Sequence, residues 1–181
     1  MESRIAPAEP PYAPEIEERL ARLMPPGVPP LLLFRALARD KRLFERFMGG
    51  GLLDKGHLTL RQREIVIDRI TALSGSEYEW GVHVAFFAER AGLTEAQIAS
   101  TAKRGAADPV WSEEERVLLA ACDELHRACT LGDEIWAALR DAFPEEAILE
   151  ILMFAGFYRT VSYITNALRL PAEPFGARFP T

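Results

Sequence analysis

Apolar side chains recur along this chain at intervals of three and four, and no stretch alternates strictly, so the pattern predicts helices throughout and no strand. Residues 1–13 read as an extended arm. Pro14 then admits a helix over Glu15–Met24, with acids early, Arg19 and Arg22 late, and a Pro/Gly run from Pro25 to stop it. Helices follow over Leu31–Ala38 and Lys41–Met48; Gly49, Gly50 and Gly51 end the second and read as a connector. Thr59 and Gln62 form a capping box for a helix through Leu73. After a break at Ser74–Ser76 the next helix runs Glu77–Ala91 to Gly92, and Thr94 caps Glu95–Ala102. Ser112 starts a helix to Cys129, Gly132 and Asp133 open one through Ala142, and Pro144 starts the last, to Arg169. The reading is all-α: an arm with the first helix over 1–30, a helical domain over 31–170, and a tail over 171–181. The two phenylalanines of that tail are free to pack across a neighbour.

Arcs on these helices select the core and the chemistry. Leu58, Ile65, Val66, Ile67, Ile70 and Leu73 form one apolar arc; Glu64 lies just off its edge, in line with Asp68, which predicts a half-exposed carboxylate. On the following helix Glu79, Trp80, His83, Phe86 and Phe87 share an arc, because residues three and four apart are neighbours. An imidazole therefore sits inside an apolar stripe with a carboxylate one turn before it. In one reading Glu79 and His83 are an acid/base pair tuned by burial. In the other, His83 is a core histidine and Ser76 with Glu79 is a capping box. Ile135, Trp136 and Leu139 anchor the penultimate helix, and Gly156 predicts a close crossing of the last one.

At 181 residues, 49% hydrophobic and 27% charged, the chain is long enough for one domain with a substantial core. A net charge of −6 with no Lys/Arg cluster argues against nucleic acid. The first residues, MESRIAPAEPPY, have neither the basic start nor the apolar run of a signal or transit peptide, which predicts a cytoplasmic protein. Glu150, Arg159 and Asn166 interrupt the most apolar stretch and argue against a membrane span. Cys122 and Cys129 share a helix face but stand roughly 10 Å apart by rise alone, beyond disulfide reach, and read as small packing residues. His126 has no second donor nearby, His57 lies in a loop, and neither H-x-x-x-H nor C-x-x-C occurs, so the sequence makes no case for a metal or a cofactor.

The register Glu64, Ser76, Glu79, His83 resembles the active-site spacing of the carboxymuconolactone decarboxylase and alkylhydroperoxidase D superfamily: glutamate, cysteine twelve residues on, cysteine three further, histidine four further. The phrases LTLRQRE at 58–64, YEW at 78–80 and AGLTEAQ at 91–97 extend the likeness, which covers about residues 30–170. Ser76 and Glu79 stand where the peroxidase branch has its nucleophilic and resolving cysteines. A hydroxyl has no reversible disulfide state, so thiol peroxidase activity is not expected. The resemblance implies an all-helical domain assembled as a trimer or hexamer. It implies acid/base chemistry, decarboxylation foremost, on a small, anionic organic substrate. Under it His83 donates a proton, Glu79 or Glu64 holds its tautomer or relays the proton, and Arg61 or Arg159 binds a carboxylate. Ser76 is a site member or only a cap, and Tyr78 and Trp80 shape the pocket or pack. The alternative is a helical oligomer without catalysis, a binding or assembly module, in which Glu64, Glu79 and His83 do not converge on a cavity.

Overall fold

A computed structural model describes residues 3–181. Nine α-helices follow among these residues: α1 Pro14–Leu23, α2 Leu32–Leu37, α3 Lys41–Gly50, α4 Leu60–Leu73, α5 Glu77–Phe87, α6 Glu95–Ala102, α7 Glu113–Ala128, α8 Asp133–Ala142 and α9 Glu145–Leu168. A short 3₁₀ turn, Gly105–Ala107, joins α6 to α7, and no strand occurs among the described residues.

The organising element is α4. Every residue from Glu64 to Thr71 is buried, so this helix is covered on all sides, by α5, α6, α7 and α9. Its start is set by the Thr59–Gln62 capping box, and equivalent boxes start α6 at Thr94 and α7 at Ser112. It stops where Gly75 takes φ +66° and Ser76 N–H donates back to Thr71 O, which fixes the angle between α4 and α5. The main core gathers Ile65, Ile67, Leu118, Leu119, Ile151 and Phe154 around α4, each side chain contributing about 1.5–3 kcal/mol by leaving water. A smaller cluster of Ile16, Leu20 and Phe44 fastens α1 to α3. By length and composition α9 could cross a bilayer. Here Ile151, Phe154, Tyr158 and Val161 form the long wall of the core instead.

Several expectations are corrected. α3 runs through Gly49 and Gly50, because a Cβ at Gly50 would lie 2.9 Å from the Phe157 ring and glycine lets α9 close there. Gly156, expected at a close crossing, is exposed and an added Cβ would meet nothing within 4 Å. α5 ends at Phe87, and its last residues tighten into turns closed by Gly92 at φ +66°. Trp136 is 42% exposed and anchors nothing, whereas Leu139 is fully buried. Cys122 is buried, but Cys129 is the exposed left-handed cap of α7, so only the first is a packing residue.

The tail packs on its own chain. Ala177 N–H donates to Gly81 O at 3.0 Å, Phe175 stacks on Phe86 and Phe179 on Trp80. Glu173, 7% exposed, accepts from Leu32 N–H at 2.6 Å and from the Tyr78 hydroxyl at 2.5 Å, pinning the strap to α2 and α5. Gly81 permits the contact, since a Cβ there would come within 2.3 Å of Ala177 O.

Candidate active site

Burial of α4 from Glu64 onward places a carboxylate in the core, where the helical period alone left it half exposed. Glu64 is 0% exposed and Oε2 accepts from His83 Nδ1 at 2.7 Å, while Oε1 accepts from Arg63 Nε at 3.0 Å. His83, 4% exposed on α5, turns its other nitrogen, Nε2, toward Glu79 Oε1 at 3.5 Å. One imidazole is thus bracketed by two carboxylates, Glu64 from α4 and Glu79 one turn earlier on its own helix.

The capping-box reading of Glu79 is half right. Ser76 Oγ accepts from Glu79 N–H at 3.4 Å as an N-cap, but the Glu79 side chain does not return to the cap and goes to His83 instead. Burial opposes charge on His83 and is the largest single influence. The charge and hydrogen bond of Glu64, joined by Glu79, together outweigh it and raise the ring to about 10. His83 is therefore an imidazolium at neutral pH. Its ring meets Tyr158 edge-on at 5.0 Å and lies 5.3 Å from Phe87.

Glu79 and His83 line a cavity of about 240 Å³; Glu64 lies behind His83, outside the lining. The walls are apolar and, apart from Phe87 of α5, come from beyond the motif region: Leu23 and Met24 at the end of α1, Phe34 of α2, Phe47 of α3 and Phe157 of α9. Arg90 adds a guanidinium to that lining, and both it and Arg63 lie over the Phe87 ring, at 5.7 and 5.6 Å.

The remaining expected site residues go elsewhere. Arg61 is tied to Glu115 at 2.6 Å and to the carbonyls of Ala91 and Gly92, and Arg159 to Tyr163 and the His126 carbonyl; neither lines the cavity. Ser76 is fully buried against Thr165 Oγ1 at 2.8 Å. Tyr78 serves the tail strap, and Trp80 donates to Thr101 Oγ1 at 2.9 Å under Phe179. Each of these has a structural partner that turns it away from His83.

Arg63, Asp68, Arg90 and Tyr158 were not among the expected site residues. The first three carried a signal, being one residue after Gln62 beside Glu64, one turn after Glu64, and two turns after His83. Tyr158 carried none, because α9 approaches from seventy-five residues away. No cluster of three or more His, Cys, Asp or Glu side chains suited to a metal occurs among the described residues.

Solved structures share this fold. An uncharacterized peroxidase-related protein from Silicibacter sp. TM1040 aligns over 99% of this chain and 98% of its own at 15% identity, TM-score 0.84. The alkylhydroperoxidase AhpD core of a peroxidase-related protein from Ralstonia eutropha JMP134 aligns over 94% and 93% at 16% identity, TM-score 0.73. The debrominase Bmp8 in complex with 2,3,4-tribromopyrrole aligns over 97% and 94% at 17% identity, TM-score 0.71. No curated protein matches at the sequence level. Residues 41–123, which hold the whole Glu64–His83 register, match the carboxymuconolactone decarboxylase family model. The matched segment and the shared fold point the same way: the Glu64–His83 register falls within a carboxymuconolactone decarboxylase-like stretch, and the helical fold is that of alkylhydroperoxidase D-like structures.

Proposed function

We propose that this protein is an acid/base enzyme acting on a small organic acid with an apolar body, and that decarboxylation is its reaction. One observation carries the reading: His83 has one nitrogen fixed by Glu64 in the core and the other turned, beside Glu79, to the wall of an apolar cavity. A purely structural histidine has no need of a cavity on one side. In the proposed step the bond from a carbonyl-stabilised carbon to its carboxylate breaks and its electron pair stays on carbon. Carbon dioxide leaves, and the carbon takes the Nε2 proton of His83. Glu64 keeps the Nδ1 proton and the ring orientation, while Glu79 and later water restore the Nε2 proton. Arg90 attracts the substrate anion at the cavity lining, a role that passes to it from Arg61 and Arg159.

Thiol peroxidase chemistry finds no support, since neither cysteine lines the cavity and position 76 is a buried serine bonded to Thr165. Assembly is part of the same proposal. Leu149, Met153 and Tyr163, at 63%, 55% and 60% exposure, lie with Gly156 on one face of α9 at heptad-like spacing and form a seam suited to a second copy. The test is carbon dioxide release, with deuterium incorporation from heavy water, across a panel of small lactone acids and aromatic acids. Wild type should turn over a member of the panel, and His83→Gln should lose that turnover while its circular dichroism stays native. Turnover retained in His83→Gln removes His83 from the mechanism, and neither turnover nor binding by wild type favours the assembly-module alternative.

A further inference from the structure

The α4 helix carries a second buried carboxyl that the step above does not use. Asp68 lies one turn after Glu64, is 1% exposed, and neither of its oxygens has a hydrogen-bond partner. Buried carboxylates ordinarily collect donors, because an ionised group without them loses its hydration and gains nothing in return. The nearby cations are committed: Arg69 to Asp123 at 2.6 Å and to Thr101 O, Arg63 to Glu64 and Leu53 O.

The titratable groups that act on Asp68 or feel its charge come from three elements: Glu64 on its own helix, His83 on α5 and Tyr158 on α9. Ionised, Asp68 would be a third carboxylate beside a single imidazolium.

We propose that Asp68 is held as a neutral carboxylic acid and that, by staying uncharged, it keeps His83 an acid strong enough to give up its proton. Burial raises the Asp68 carboxyl well above its usual range and Glu64 adds to this; the charge of His83 opposes both. The consequence for His83 follows from the sign of the interaction. A further negative charge within about 4–6 Å would tighten its hold on the proton by about 1–3 pH units, weakening it as a donor. Asp68 is thus a positioning residue acting through the Glu64–His83 pair. The second half of the proposal rests on the reading of His83 as the proton donor, and the first half does not.

Three measurements on the full-length protein test it, none requiring turnover. The infrared spectrum of wild type at pH 7 should contain a carboxylic-acid C=O band that Asp68→Asn lacks. The NMR titration midpoint of His83 should be the same in wild type and Asp68→Asn. A folded-state pKa raised above the unfolded value gives stability that is full below about pH 3.9 and lost as pH rises through the folded value. Asp68→Asn should therefore be the more stable protein at pH 7, with an advantage that vanishes near pH 4. Absence of the acid band from wild type overturns the proposal. So does a His83 midpoint that falls by about 1–3 units in the variant, or a variant whose stability deficit grows above pH 4. Should Asp68→Asn not fold, carbon-13 shifts of labelled aspartate carboxyls in wild type decide the protonation state alone. Loss of the decarboxylation reading leaves these outcomes unaffected, so the two can fail separately.

Discussion

Replacing Glu64 by glutamine removes charge from the shorter of the two contacts to His83 while keeping the side chain's shape. In wild type the ring is raised from 6.5 to about 10 against the opposing effect of burial. With the 2.7 Å partner neutral, burial stands against Glu79 alone at 3.5 Å. The loss of one close opposite charge is worth about 1–3 pH units, which brings the His83 midpoint down toward neutrality. At about 1.4 kcal/mol per pH unit the whole displacement is equivalent to roughly 5 kcal/mol. Removing one partner of a buried pair costs about 3–5 kcal/mol, and we expect the lower end because Glu79 and an amide acceptor remain. The pH dependence has a definite sign. A folded-state pKa above the unfolded one gives stability that is full below about pH 6.5 and lost as pH rises toward 10. The difference in denaturation free energy between wild type and Glu64→Gln should therefore be greatest at and below neutrality and shrink toward pH 10. The assay is a nitrogen-detected histidine NMR titration beside urea denaturation. A wild-type midpoint near 6.5, or one that ignores the substitution, refutes the coupling on which the site is built.

Two further substitutions probe the frame around that pair. Gly81→Ala would put a methyl group 2.3 Å from Ala177 O; we expect a loss of about 1–3 kcal/mol and faster proteolysis and amide exchange within residues 171–181, whereas an undisturbed strap would contradict the packing described. Met153→Glu should shift a light-scattering measurement from oligomer toward monomer without changing the circular dichroism, and a variant that assembles like wild type would clear the α9 face of that role.

Much of the fold is legible because local signals agree with one another. The capping boxes at Thr59 and Thr94, Ser112 at the start of α7 and the break at Ser74–Ser76 are set by residues within four positions of each other, and each is found where the sequence puts it. What local pattern misjudged depends on long-range contact. Gly50 stays in its helix because Phe157 arrives from α9, and Gly81 is needed because the tail returns to α5. The site divides the same way. The Glu64, Glu79, His83 register was readable as spacing, but Arg61 and Arg159 were offered as anion-binding residues because spacing does not reveal that Glu115 and the His126 carbonyl claim them. Tyr158 and the aromatic walls from α2, α3 and α9 leave no mark near the motif at all.

Helix α5 shows how a local rule gives way at the site. Ser76 followed by Glu79 is the signature of a capping box, and Thr59, Thr94 and Ser112 complete theirs with glutamine or glutamate in the same chain. Glu79 does not, although the return hydrogen bond would satisfy an amide at the helix start. Its Oε2 is instead buried without a partner, and Asp68 holds two more such oxygens. A buried polar group left unpaired costs about 1–3 kcal/mol, so these atoms represent stability forgone. Beyond the two carboxyls, the buried unpartnered side-chain atoms among the described residues are only Ser74 Oγ and His126 Nδ1. A chain shaped for stability alone would have closed the fourth box. The departure is intelligible if Glu79 has to face the cavity beside His83, which is why the unsatisfied carboxyls weigh toward an acid/base site and against a relic of one.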